Sequence, residues 1–272
     1  VATGGKSGGI QGQQLGQNFN PEKDTDFEIG WKGSHLDGHA TVQLNGFYTR
    51  YTQMQIADTD IATGSSSIYN AGSTSIYGLE FAWQALIADW RLNATAAYTR
   101  SSFSVGNIVN KDICGLDPNC NNSKGQCPPG VSGGTNGCFD YVNGDGGGAT
   151  VNGKFYPWLE SVSDLQLPNS PKFQFNVAVG YDFHVGNGDV LTPRIDYSYQ
   201  GTQYSQIYDT PFDNLPSRTN VNFKLSYLHG PWYTEAYMTN VTNAVYPVAQ
   251  NDTLAQIYDA PRQWGVRVTR KL

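Results

Sequence analysis

Cys114, Cys120, Cys127 and Cys138 are the residues best equipped for chemistry, and all four fall in one stretch rich in Gly and Asn. Zinc sites favour cysteines separated by two residues, a gap that does not occur here. An even number of cysteines in an exported loop points to two disulfides, with three connectivities open. Sequential pairing, Cys114 with Cys120 and Cys127 with Cys138, is the working choice. Asp140, Asn143, Gly144, Asp145 and Gly146 hint at a calcium loop, but the ligand spacing is incomplete and reads as a Gly-rich turn. Neither a metal nor a cofactor is expected. His35, His39, His184 and His229 sit at or beside short turns, at the end of the strands opposite the cysteines. No Cys–His pair or Ser–His–Asp set can assemble across that distance, so no enzyme is expected.

The elements that position these residues are strands. In the stretch 70–103, Tyr77, Leu79, Phe81 and Trp83 alternate with Gly78, Glu80, Ala82 and Gln84. After Leu86 to Asp89 the alternation resumes with Trp90, Leu92, Ala94, Ala96 and Tyr98. Period two with one apolar face means a β-hairpin. Trp83 and Trp90 flank its turn while Tyr77 and Tyr98 lie most of a strand away. Aromatic residues at both ends of an aliphatic band suit a strand whose outer face meets lipid.

The same alternation recurs along the chain. Phe27, Ile29 and Trp31 share a face in 21–33, and Val42, Leu44 and Tyr48 in 40–56. Residues 173–185 alternate without a slip from Phe173 to Val185. Leu191, Ile195, Tyr197 and Tyr199 follow, then Val221, Phe223, Leu225 and Tyr227. Trp232, Ala236 and Met238 are placed outward, as are Trp264, Val266 and Val268 in the last strand. Residues 1–20 have little to bury and read as an extracellular loop or a disordered start. The count is about nine strands. Connections near 34–39, 86–89, 186–189 and 229–231 are short, and they alternate with long ones near 57–68, 104–170, 205–217 and 242–260. Outer-membrane barrels have short periplasmic turns and long extracellular loops. Bacterial barrels also have an even number of strands, so nine strands beginning outside imply part of a larger barrel.

Composition agrees. Mean hydropathy is −0.45 and no apolar run approaches the roughly 20 residues of a membrane helix, but barrel strands escape such a test because every second residue is polar. Net charge −6 argues against nucleic acid as a partner. No signal peptide begins at Val1, so either one was removed or the chain starts mid-protein.

Several segments match a known family. Pro21, Glu22, Lys23, Glu28, Gly30, Lys32 and Gly33, followed by Phe47 to Tyr51, resemble a mid-barrel hairpin of the TonB-dependent outer-membrane receptors. Asn70, Ala71, Gly72, Gly78 and Glu80 form the most specific match. The segments LPNSPK (167–172), NVTNAVY (240–246) and APRQWGVRV (260–268) are similar to later family segments, in order and spacing. The resemblance covers nearly the whole chain. It implies an all-β, antiparallel transmembrane barrel, with residues 21–272 as the C-terminal part of a barrel of about 22 strands. It also implies uptake rather than catalysis: a scarce ligand (a siderophore, cobalamin or a glycan) passes the lumen when the TonB complex displaces part of an N-terminal plug domain. That plug is expected to lie outside these residues, and outer-membrane lipid surrounds the barrel of a Gram-negative bacterium.

On this phase Glu28, Lys32, Glu80, Arg91, Asp182, Arg194, Asp196, Lys224, Glu235 and Arg267 face the lumen or the plug, where both signs can pair in water. Ligand contacts are expected from loop aromatics: Tyr141, Phe155, Tyr156, Trp158, Tyr204, Tyr208, Phe212 and Tyr246. Between 104 and 171 there is no arginine, only Lys111, Lys124 and Lys154 against six acidic residues. A trianionic ferric catecholate would want a basic mouth, so the balance favours a neutral ligand such as a hydroxamate siderophore, cobalamin or an oligosaccharide. The rival readings are a passive porin, which needs no plug, and a secreted β-sandwich adhesin, whose aromatic faces would be buried in a core.

Overall fold

A computed structural model describes residues 1–10, 18–60, 65–70, 72–103, 107–109, 148–151, 154–157, 159–161, 163, 165–186, 188–207, 209, 213–251 and 255–271. All regular structure among them is strand. One antiparallel sheet contains β1 (Ala2–Lys6), β2 (Glu22–His35), β3 (Ala40–Thr52), β4 (Thr74–Ile87), β5 (Trp90–Phe103), β6 (Phe173–Tyr181), β7 (Phe183–Val185), β8 (Asp189–Gln200), β9 (Arg218–His229), β10 (Trp232–Thr239) and β11 (Gln263–Arg270). Each strand pairs with the next in sequence, β6 and β7 being two pieces of one staggered strand against β8. The ladder does not close, since β1 and β11 stand at its two ends.

The apolar residues of successive strands fall into register. Trp31 lies opposite Leu44, Leu44 opposite Phe81, Phe81 opposite Ala96, Ala96 opposite Phe175, and Phe175 opposite Tyr199. This face is bare. Ile29 is 80% exposed, Leu79 66% and Trp264 77%, and among the described residues no second sheet covers them. A sandwich would interleave such side chains between two layers, so the adhesin reading is excluded. A single twisted sheet with an apolar exterior and a polar interior is the wall of a barrel.

Short turns close one end. His39 N donates to Leu36 O across 2.9 Å in the first, where Leu36, Asp37 and Gly38 all have positive φ. The ladder between β6–β7 and β8 breaks where Tyr181 and Asp182 face Pro193 and Thr192: pairing ends at Gly180 with Arg194 and resumes at Phe183 with Leu191. Proline has no N–H to give, which explains the gap.

Three expectations change. Residues 1–20 are not all loop, because Ala2–Lys6 pairs with β2 over Lys6–Glu22 to Ala2–Asp26. That adds a span to the nine expected, so the odd count no longer argues for a larger barrel; the open ladder does. The strand expected over 40–56 ends at Thr52, and Gln55–Asp60 turns away to pair with Ser65–Asn70. The long connections thus carry ladders of their own, including Asn107–Val109 with Leu159–Ser161 and Gly148–Val151 with Lys154–Pro157. The strands of these ladders are only three to six residues long, too short to display a period.

Candidate functional site on the inner wall

The inner face has three levels. Nearest the short turns, Arg91 reaches Asp182 with Nε at 2.8 and 2.7 Å from the two carboxylate oxygens and an Nη at 2.7 Å. Thr192 Oγ1 donates to the same carboxylate at 2.6 Å. Arg194 binds Asp196 on its own strand, two residues along and so on the same face. Glu235 lies opposite Arg267, 3.8 Å apart, and accepts from the Tyr233 hydroxyl at 3.0 Å. Six of the ten charges expected to face the lumen are therefore matched within the wall. Glu28, Lys32, Glu80 and Lys224 have no such partner among the described residues.

The middle level is a groove of ≈ 550 Å³ whose polar lining includes Gln43, Asn45, Glu80, Thr95, Gln174, Asn176, Ser198, Gln200, Arg218, Asn220 and Asp259. Amides and hydroxyls dominate it. Arg218 Nε donates to Gln200 Oε1 at 2.8 Å, which holds one more cation in the wall than alternation had singled out. Two aromatic residues also point inward. The ring of Phe47 lies where a Cβ on Gly78 would be, 2.8 Å from it, and Tyr237 covers Gly265 at 2.6 Å in the same manner. Cross-strand glycine makes room for an inward ring, so both glycines are fixed by their neighbours.

The upper level, at the long-loop end, holds a small apolar cluster of Phe103, Leu167 and Ile207 with Met54, Ile56, Ile76 and Leu165 against it. Tyr51, Thr74 and Phe103 share the row of Asp24, an inward row, so residues 165–167 run inside the wall. Leu167 N donates to Ser101 Oγ and Gln166 N to Asp209 Oδ2, both at 2.9 Å.

The segments that carry the resemblance act as fasteners. Glu22, 3% exposed, takes the N–H of Gln55 at 2.7 Å and pairs with Lys6 at 3.1 Å. Asn70 bonds the backbone of Asn20 and Gln53. Asn240 Nδ2 reaches the carbonyls of Ala244 and Ala260, its Oδ1 accepts from Ala244 N, and Asn243 Oδ1 accepts from Arg262 N at 3.0 Å. NVTN and APR are thus two halves of one joint.

Of the eight loop aromatics, Tyr204 is half-buried in a short ladder with Asn214, and its carbonyl accepts from Asn169 N at 2.7 Å. Tyr246 brings its hydroxyl within 3.3 Å of Thr219 Oγ1, and Thr219 lies opposite Tyr199 in an outward row. Phe155 and Tyr156 belong to the Lys154–Pro157 strand. Tyr141, Trp158, Tyr208, Phe212 and all four cysteines lie outside the described residues. The histidines take local partners: His184 meets Asp89 and His229 meets Asp189, each at 2.9 Å, and His35 accepts from Trp83 Nε1 at 3.2 Å.

An open antiparallel wall with a bare apolar exterior and a polar lumen defines a membrane β-barrel. The family model described as TonB dependent receptor-like, beta-barrel, matches residues 2–244, and the chain belongs to that family. Among solved structures the chain is similar to the ferric yersiniabactin uptake receptor FyuA from Yersinia pestis, at 16% identity and TM-score 0.64 over 98% of this chain and 33% of that one. It is also similar to two proteins of Acinetobacter baumannii. The siderophore receptor PiuA gives 17% identity and TM-score 0.60 over 92% of this chain and 28% of that one. The ferric preacinetobactin receptor BauA gives 18% and 0.59 over 93% and 30%. The chain thus spans about a third of the length of these proteins. No curated protein sequence matches it.

Proposed function

We propose that this chain forms part of the barrel of a Gram-negative outer-membrane receptor that takes up a scarce ligand by TonB-coupled transport. The observation that carries this is the inner wall, where Glu28, Lys32, Glu80 and Lys224 have no ion-pair partner among the described residues and Glu80 lines an amide-rich groove. Charges left unmatched in a barrel wall suit a hydrated domain seated inside, because both signs stay solvated until that domain supplies partners. A plug preceding these strands would be that domain, and the TonB complex would act on it. The ligand class proposed is a ferric siderophore: PiuA is named a siderophore receptor, FyuA a ferric yersiniabactin uptake receptor and BauA a ferric preacinetobactin receptor. Between 104 and 171 the sequence carries three lysines and no arginine against six acidic residues, so a neutral chelate fits better than a catecholate trianion, with cobalamin or an oligosaccharide as the other neutral choices.

The test is uptake by the full-length receptor expressed in a strain lacking its own siderophore receptors, with radiolabelled iron on neutral hydroxamate and on catecholate chelators. Transport of the neutral chelate that vanishes when TonB is deleted is the expected result. Uptake that persists without TonB would mean a passive channel instead.

A further inference from the structure

The apolar cluster at the long-loop end is assembled from segments far apart in the chain. Met54 and Ile56 follow β3, Leu165 and Leu167 precede β6, and Ile207 lies between β8 and β9. The wall itself supplies Ile76 near the start of β4 and Phe103 at the end of β5. No connection brings more than two of these seven side chains, so none can build the core alone. Burying apolar surface is what offsets the entropy lost when a loop is ordered. Polar bonds join the same segments. Gln166 N donates to Asp209 Oδ2 at 2.9 Å and Asn169 N to Tyr204 O at 2.7 Å, which tie 165–170 to the connection after β8. Leu167 N donates to Ser101 Oγ on the wall, and Met54 N to Gly72 O at 2.9 Å. Ser205 N donates to Asp213 O at 2.8 Å beside the short ladder of Gln203 and Tyr204 with Asn214 and Leu215. Gln203, Ile207, Asp213 and Leu215 are all buried.

Burial shows that this collar is seated on the inner wall. Thr74, Ser101 and Phe103, all inward, are buried, whereas Glu80, Ala82 and Gln84 further down β4 and Thr95 on β5 are exposed in the same phase. The seat is imperfect at one point. Thr74 Oγ1 is buried with no hydrogen-bond partner among the described residues, and an unpaired buried hydroxyl costs free energy. The collar is also held by single cross-bonds, while β4 and β5 pair along their whole lengths, from Thr74 with Phe103 to Ile87 with Trp90. Local opening therefore costs less in the collar than in the wall. Such opening cannot stay within one connection, because the loss of any member exposes the apolar faces of the others.

We infer that 54–56, 165–170 and 203–207 form one cooperative unit that opens and closes around Phe103, Leu167 and Ile207 while the wall stays paired. Ordering any one segment, by a bound molecule or by a neighbouring loop, then orders the other two, and the coupling is equal in both directions. It rests on neither transport nor a ligand class. Hydrogen exchange read by mass spectrometry on the full-length receptor in mild detergent tests it. Ile207→Ala should speed exchange about tenfold or more in all three segments and leave Leu191 to Ser198 of β8 unchanged. Met54→Ala should speed 203–207 in turn, as reciprocity requires. Thr74→Val removes the orphan hydroxyl at nearly constant volume and should slow all three segments by about threefold. Val177→Ala, on the outward face of β6, should move none of them. Acceleration confined to the mutated connection, equal acceleration in β8, or a Thr74→Val effect that is absent or limited to one segment would each overturn the unit. Heat-modified gel mobility reports folding; if Ile207→Ala does not fold, Ile207→Val must speed the same three segments by a smaller factor. Independent segments would leave the uptake reading standing, and failure of TonB-dependent uptake would leave the exchange result standing.

Discussion

Two parts of the inner wall treat charge in opposite ways. Around Asp182 the wall is self-sufficient: Arg91 and Thr192 together saturate a carboxylate that is only 10% exposed. Elsewhere on the inner wall, Glu28, Lys32 and Glu80 are exposed and have no partner among the described residues. Both groups came from the same alternation and the same residue types. What separates them is where their neighbours in register fall. Asp182 sits at the Pro193 gap, where the wall already lacks ladder bonds and a charge pair ties three strands together. Lys32, by contrast, lies opposite Gln43 and Glu80 opposite Asn45, amides that offer no opposite charge. Inward polarity alone therefore does not mark a functional residue; an inward charge the wall leaves unmatched is the better candidate.

The largest expected effect comes from breaking the wall itself. Gly78→Val would drive a side chain into the Tyr98 carbonyl and the Phe47 ring, and should cost about 1–3 kcal/mol by urea unfolding of the receptor in detergent or vesicles. Next is Asp182→Ala, which strands Arg91. Because Arg91 is itself half exposed, the loss should stay near 1–2 kcal/mol, and Asp182→Asn should recover part of it through Thr192. Equal losses for Asp182→Ala and Glu80→Ala would dissolve the contrast between the two regions. Lys32→Gln with Glu80→Gln should change stability by less than about 0.5 kcal/mol while lowering uptake, measured as labelled chelate accumulated per receptor. Smallest of all is Tyr246→Phe. Its hydroxyl touches Thr219 on the outward side, so ligand affinity by fluorescence titration should not move.

Much of the fold was legible because strands display their environment at every second residue. Phe173 to Val185 announced its alternation, and the outward Phe173, Val177, Val179, Phe183 and Val185 are exposed. The inward charges were legible for the same reason. Their pairing was not, since Arg91 and Asp182 are brought together only when β5 lies against β6. Ala2–Lys6 escaped notice because Thr-Gly-Gly-Lys has no apolar face to show. Tyr237 and Phe47 were hard to place as inward rings, because the glycines that admit them, Gly265 and Gly78, are on other strands. The motifs that signalled the family turned out to hold joints, as Asn240 and Asn243 do for residues 260–262, so they identify the fold without locating a ligand.

Local chemistry settled which side of each strand is greasy and which ends turn tightly, because a period of two and a pair of glycines act within a few residues. Whether a given charge is spoken for was settled only by register across the sheet. Register is fixed by many weak pairings between distant segments, and no short stretch of chain contains that information. A different strand offset, placing a carboxylate beside Lys32 and a cation beside Glu80, would remove the ground for reading this wall as a receptor's.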